Sequence, residues 1–156
     1  MSPRRLLALL FAPGLAAADP VIAISDGDTL TVLRGRRPVK VRLAEVDAPE
    51  LHQPFGAVAR RSLGELCFRA VAELLGSAHD RYGRLVAHVR CRGVDAGREQ
   101  VRRGLAWAFD RYVVDGSLFA LERQARRARR GLWIDPAPVP PWAWRRGGRR
   151  PSQGRR

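Results

Sequence analysis

The chain has 156 residues, 46% of them hydrophobic, with 29 lysines and arginines against 15 aspartates and glutamates and a formal net charge of +14. That length suits one domain around a single modest core, the pattern shows no internal repeat, and no segment is long and apolar enough to span a bilayer. The excess of basic residues favours a polyanionic partner, either nucleic acid or an anionic surface.

Residues 1–18 read as an export signal, with Arg4 and Arg5 as a basic start, Leu6 to Phe11 as an apolar centre and Ala16-Ala17-Ala18 as a small-residue cleavage site. The expected product is a periplasmic or secreted protein without a stable membrane anchor. A folded domain over residues 19–135 is then followed by a proline- and tryptophan-rich segment and an arginine-rich tail over 136–156, whose last dozen residues are expected to be disordered.

The domain opens with a short apolar run, Val21 to Ser25, that reads as a first strand bent or bulged near Gly27. Thr29 to Val32 and Val39 to Leu43 then alternate with period two around Arg34-Gly35-Arg36-Arg37 and read as a hairpin. A turn symmetric about Gly35 sets Asp28 opposite Arg42 on one face. Pro49 ends the ladder, so Asp47 and Glu50 leave the sheet edge close to that face. Two aspartates and a backbone carbonyl suit a hard cation such as Ca²⁺, a spare glutamate can take a proton from water, and an arginine can clamp a phosphoryl oxygen. The plainer alternative is a solvated charged face with cross-strand ion pairs.

Ala57 to Leu66 is expected to be helical, with Ala59, Leu63 and Leu66 inward. Ala70 to Leu75 and Leu85 to Cys91 form a second hairpin, joined by Asp80-Arg81-Tyr82-Gly83-Arg84, where Gly83 permits a positive φ and Arg84 opens the returning strand. Cys67 and Cys91 are the only cysteines, and in an oxidising compartment they read as a disulfide; two separate buried thiols are the alternative. Helices are expected over Asp95 to Phe109, weakened by Gly97 and Gly104, and over Gly116 to Gly131, with Leu121, Ala125, Ala128 and Leu132 inward and Gly131 as the cap. His52, His79 and His88 show no ligand spacing.

Five blocks in order carry a resemblance: DGDT at 26–29, VRLAEVDAPE at 41–50, DRYGR at 80–84, VRRGLAW at 101–107 and ARRARRGLW at 125–133. The pattern resembles the staphylococcal-nuclease-like family. Short strands with one interrupting helix, followed by helices, already fit an α+β fold, a small five-stranded barrel with about three packed helices; the resemblance sharpens this to the oligonucleotide-binding (OB) type. It implies Ca²⁺ on Asp28, Asp47 and the Ala48 carbonyl, Glu50 as general base, Arg42 and Arg84 on the phosphate and Tyr82 along the nucleotide. The implied reaction is hydrolysis of DNA and RNA, single- or double-stranded, leaving 3′-phosphate ends, by a monomer. A relative that has kept the barrel but lost catalysis would instead be a nucleic-acid-binding module. The stretch between Glu50 and Arg84 is shorter than the family pattern, Gly97 stands where the family often has asparagine, and neither Phe109 nor Tyr112 is assigned a role.

Overall fold

The computed structural model describes residues 19–147; the expected export signal and residues 148–156 of the tail lie outside the described residues. Three strands come first, β1 (Asp19–Ile24), β2 (Thr29–Arg34) and β3 (Arg37–Leu43), followed by the two-residue β4 (Val46–Asp47) and helix α1 (Gly56–Cys67). The second hairpin is β5 (Val71–His79) and β6 (Leu85–Cys91), with a short β7 (Val94–Asp95) behind it. Then come α2 (Ala96–Arg102), β8 (Trp107–Ala108), α3 (Ser117–Arg127), a 3₁₀ turn (Gly131–Ile134) and α4 (Pro141–Trp144).

β1 pairs antiparallel with β2 and β5, β2 with β3, and β5 with β6, while β3 and β6 run parallel and close the ring. Five strands therefore form a closed OB-type barrel, whose β1–β5 seam is short, Asp19 and Pro20 against Ala72 and Val71, so that β5 beyond Ala72 is paired on the β6 side alone. Alternation decides what fills it. Leu30 and Val32 on β2 face Val41 and Val39 on β3, and these meet Leu85, Ala87 and Val89 of β6 in the core. The inner face of α1, Ala59, Leu63 and Cys67, plugs the barrel with Ala96 and Val101 of α2. Cys67 and Cys91 are bonded, with Cα atoms 5.3 Å apart. Among the described residues no helix is long and apolar enough to cross a membrane.

Several boundaries differ from the sequence expectation. The first hairpin turns on two residues, Gly35 and Arg36, so Thr29 rather than Asp28 is the register partner of Arg42. A two-residue loop is centred between residues, and centring it on Gly35 shifts the ladder by one. The bulge of β1 lies between Val21 and Ala23, opposite β2, instead of near Gly27. α2 stops at Arg102, because Gly104 takes φ +71° and the chain turns back through β8. α3 ends at Arg127, with Arg129 and not Gly131 as the first reversing residue (φ 50°); Ala128 is exposed. Residues 145–147, expected to be disordered, continue from α4 in an ordered turn.

Candidate functional site

The bend at 26–28 is what carries Asp28 to Arg42 despite the shifted register. Asp26 Oδ1 accepts from the Asp28 N–H (3.0 Å), and the Asp28 carbonyl accepts from the Leu43 N–H (2.8 Å), which lashes the bend to the end of β3. Asp28 is buried; its carboxylate accepts from the Thr29 hydroxyl (2.9 Å) and from the Ala48 N–H (2.7 Å). Ala48 is thereby held directly beside Asp28.

Arg42 ties the two aspartates together. Its Nη2 lies 2.9 Å from Asp47 Oδ1 and 3.7 Å from Asp28 Oδ2, while Nη1 donates to the carbonyls of Leu43 and Val46 at 2.8 Å each. The guanidinium is thus fixed by backbone oxygens and cannot swing without breaking them. Arg84 approaches from the second hairpin: Nε donates to Asp80 Oδ2 (2.7 Å), and Nη1 reaches Thr29 Oγ1 (3.4 Å), the register partner of Arg42. Asp80 also accepts from the Arg84 and Tyr82 backbone N–H groups, so one aspartate sets the turn and aims the arginine. Burial alone raises the Asp80 carboxyl, but these bonds outweigh it and hold it below the usual carboxylate range. Tyr82 is exposed at the rim, with the Arg81 and Arg84 guanidinium groups 4.8 and 5.5 Å from its ring centroid. Asp28, Asp47, Ala48 and Arg42 therefore gather at one end of the barrel with Arg84 beside them, and Glu50 joins them through Arg145, whose guanidinium bonds both it and Asp47.

The sequence model of the staphylococcal nuclease homologues matches residues 40–135 of this chain. Micrococcal nuclease of Shigella flexneri is 39% identical over 137 residues, covering 81% of this chain and 79% of that protein. An uncharacterized endonuclease of Haemophilus influenzae is 40% identical over 127 residues, covering 81% and 71% respectively. A probable staphylococcal-like nuclease of Oryza sativa is 32% identical over 137 residues, covering 88% of this chain and 36% of the longer plant protein. The chain belongs to the staphylococcal nuclease family.

Electrostatics show what this member of the staphylococcal nuclease family gathers at the site. Asp26 is pushed up to about 6 by burial and by Asp28 next to it, and Asp47 is pushed up by burial despite two arginines. Such a cluster of buried acid calls for positive charge, and two carboxylates with a neighbouring backbone oxygen are a hard-cation donor set. Among the described residues no three His, Cys, Asp or Glu side chains form a ready cage, so a metal here would draw on main-chain oxygen and water as well.

Two residues that sequence reasoning missed complete the site. Gln100, fully buried on α2, donates to the carbonyls of Gly27 (2.7 Å) and Ala59 (2.9 Å) and accepts from Ser62 Oγ (2.6 Å). It fixes the bend that carries Asp28. Arg145, beyond α4, donates from Nη2 to Asp47 Oδ2 (2.7 Å) and from Nη1 to Glu50 Oε1 (2.6 Å) and Asp47 Oδ1 (3.3 Å). In the sequence it is one more arginine in an arginine-rich run, with no local signal to separate it from its neighbours.

Proposed function

We propose that the chain is an exported nuclease that hydrolyses phosphodiester bonds of DNA and RNA with calcium, leaving 3′-phosphate ends. The observation that carries this reading is the meeting of Asp28, Asp47 and Glu50 with Arg42 and Arg84 at one barrel end, built from three separate stretches of chain. The names of the relatives, a micrococcal nuclease and an endonuclease, support it.

Asp28, Asp47 and the Ala48 carbonyl would hold calcium, which when bound supplies positive charge beside the phosphate and the attacking water. Glu50, half-exposed at its carboxylate, takes a proton from that water as the new P–O bond forms. Arg42 and Arg84 donate to the phosphoryl oxygens, on which charge builds, while the bond to the 5′ oxygen breaks and that oxygen takes up a proton from solvent. Because Arg42 is anchored to two carbonyls and Arg84 to Asp80, both donors are positioned before substrate arrives. Phosphodiester hydrolysis is among the slowest uncatalysed reactions, and a base worth about 10²–10⁴ in rate is insufficient without such donors, each worth roughly 3–4 kcal/mol. Tyr82 at the rim would lie along the nucleotide. Export is supported by the Cys67–Cys91 bond, since disulfides persist in oxidising compartments.

The test is digestion of single-stranded DNA with calcium and with chelator, alongside Glu50→Gln and Arg84→Ala. Each variant is expected to lose roughly two to four orders of magnitude in turnover with its melting temperature little changed. Equal rates in calcium and chelator would refute calcium dependence. Binding without cleavage under any condition would instead establish the inert nucleic-acid-binding module.

A further inference from the structure

We propose that Arg145 is a tethered occupant of the cation position: its guanidinium holds Asp47 and Glu50 when no divalent ion is bound and must leave before an ion can take Asp47 as a ligand. This rests on the calcium reading above. The contact joins the buried metal-ligand candidate to the candidate base through a single charged group, and it does so from the far end of the chain.

The segment that carries Arg145 is docked, not draped. Gln53 Nε2 donates to the Val139 carbonyl (2.5 Å), and Gln53 itself exchanges bonds with the Glu50 backbone, its N–H donating to the Glu50 carbonyl and its Oε1 accepting from the Glu50 N–H. The turn that presents Glu50 therefore also grips the incoming C-terminal segment. Trp142 stacks on Phe109 with ring centroids 5.2 Å apart and planes 8° from parallel, and meets the edge of Trp107, which is the strand partner of Asp47. α4 then places Arg145 over the acids. Its placement follows from contacts spread over several residues, independently of the acids it meets.

Competition follows from the donor inventory. Asp47 Oδ1 already accepts from Arg42 and Arg145, and Oδ2 accepts from Arg145, so little lone-pair capacity is left for a metal. A divalent ion on buried Asp47 would also meet the like charge of the guanidinium at close range, which solvent at the half-exposed Arg145 screens only in part. Ion and arginine exclude each other, and calcium binding should release the C-terminal segment from the site. The chain would then carry its own lock, opened at calcium concentrations above those the bare ligand set requires.

Calcium affinity measured by titration calorimetry tests this on the full chain, on Arg145→Gln and on Arg146→Gln, which removes the same charge one residue away without breaking these bonds. Arg145→Gln is expected to bind at least tenfold more tightly than the parent, and Arg146→Gln within about twofold of it. Without calcium, Arg145→Gln should melt below the parent, because Asp47 keeps only Arg42, and calcium should restore it. Equal affinity in all three proteins, or weaker binding by Arg145→Gln, overturns the lock and leaves the calcium reading standing. If none binds calcium at millimolar concentration, the calcium reading itself fails and the lock with it.

Discussion

Gln100 illustrates how much of this site is held by a side chain that touches no substrate. Its amide uses both donors and its acceptor, on Gly27, Ala59 and Ser62, inside a core where water cannot substitute. Gln100→Leu keeps the volume roughly but strips the Gly27 carbonyl of this donor and the Ser62 hydroxyl of its acceptor, and takes from the Ala59 carbonyl a bond additional to its helical one, a loss of about 2–4 kcal/mol. Urea denaturation should show that loss, and turnover should fall with it because the Gly27 carbonyl is one residue from Asp28. A midpoint unchanged from the parent would mean that these bonds are dispensable. Nothing in the local pattern marks Gln100. A polar residue in a helical stretch reads as solvent-facing until α1, α2 and the 26–28 bend are brought together, whereas Asp28, Arg42, Asp47 and Glu50 are legible because catalytic residue types crowd one short stretch.

Helix ends are where the elements depart from sequence periodicity. Val101, Leu105 and Ala108 keep helical spacing, yet the chain leaves the helix at Gly104, whose N–H donates to Val101 while that of Leu105 reaches back to Gln100, a Schellman closure. A Cβ at Gly104 would stand 2.2 Å from the Arg130 carbonyl oxygen, so only glycine allows the two helix ends to meet there. The same closure ends α3, where Arg129 bonds back to Arg126 and Arg130 to Ala125, but the residue forced to positive φ is arginine. A left-handed arginine is strained, and glycine is not. Arg129→Gly is therefore expected to stabilise the protein by about 0.5–1 kcal/mol, visible as a higher melting temperature. A drop would show that the Arg129 side chain contributes more than its backbone strain removes.

Across the whole molecule, the Cys67–Cys91 bond joins the end of the plugging helix to the end of β6, a separation of 24 residues. Arg92 reinforces the same junction by donating to the carbonyls of Glu65 and Leu66 at the end of α1. On the chain-entropy account, reducing the bond should lower stability by roughly 3 kcal/mol, measured as a shift in urea midpoint between oxidised protein and the Cys67→Ala, Cys91→Ala pair. An unshifted midpoint would show that barrel closure alone fixes the junction. By itself the sequence determined where both hairpins and the first helix lie, though not that β5 runs on to His79, and the acids and arginines of the site other than Arg145, because periodicity and residue chemistry act over a few neighbouring positions; the OB class came with the ordered blocks of the family resemblance. Only the tertiary structure decided which groups those residues meet. Gln100 finds Gly27 across 73 residues, and Arg145 finds Asp47 across 98. Such pairings depend on how closed strands and capped helices stack in space, and no local pattern of apolar and polar residues encodes them.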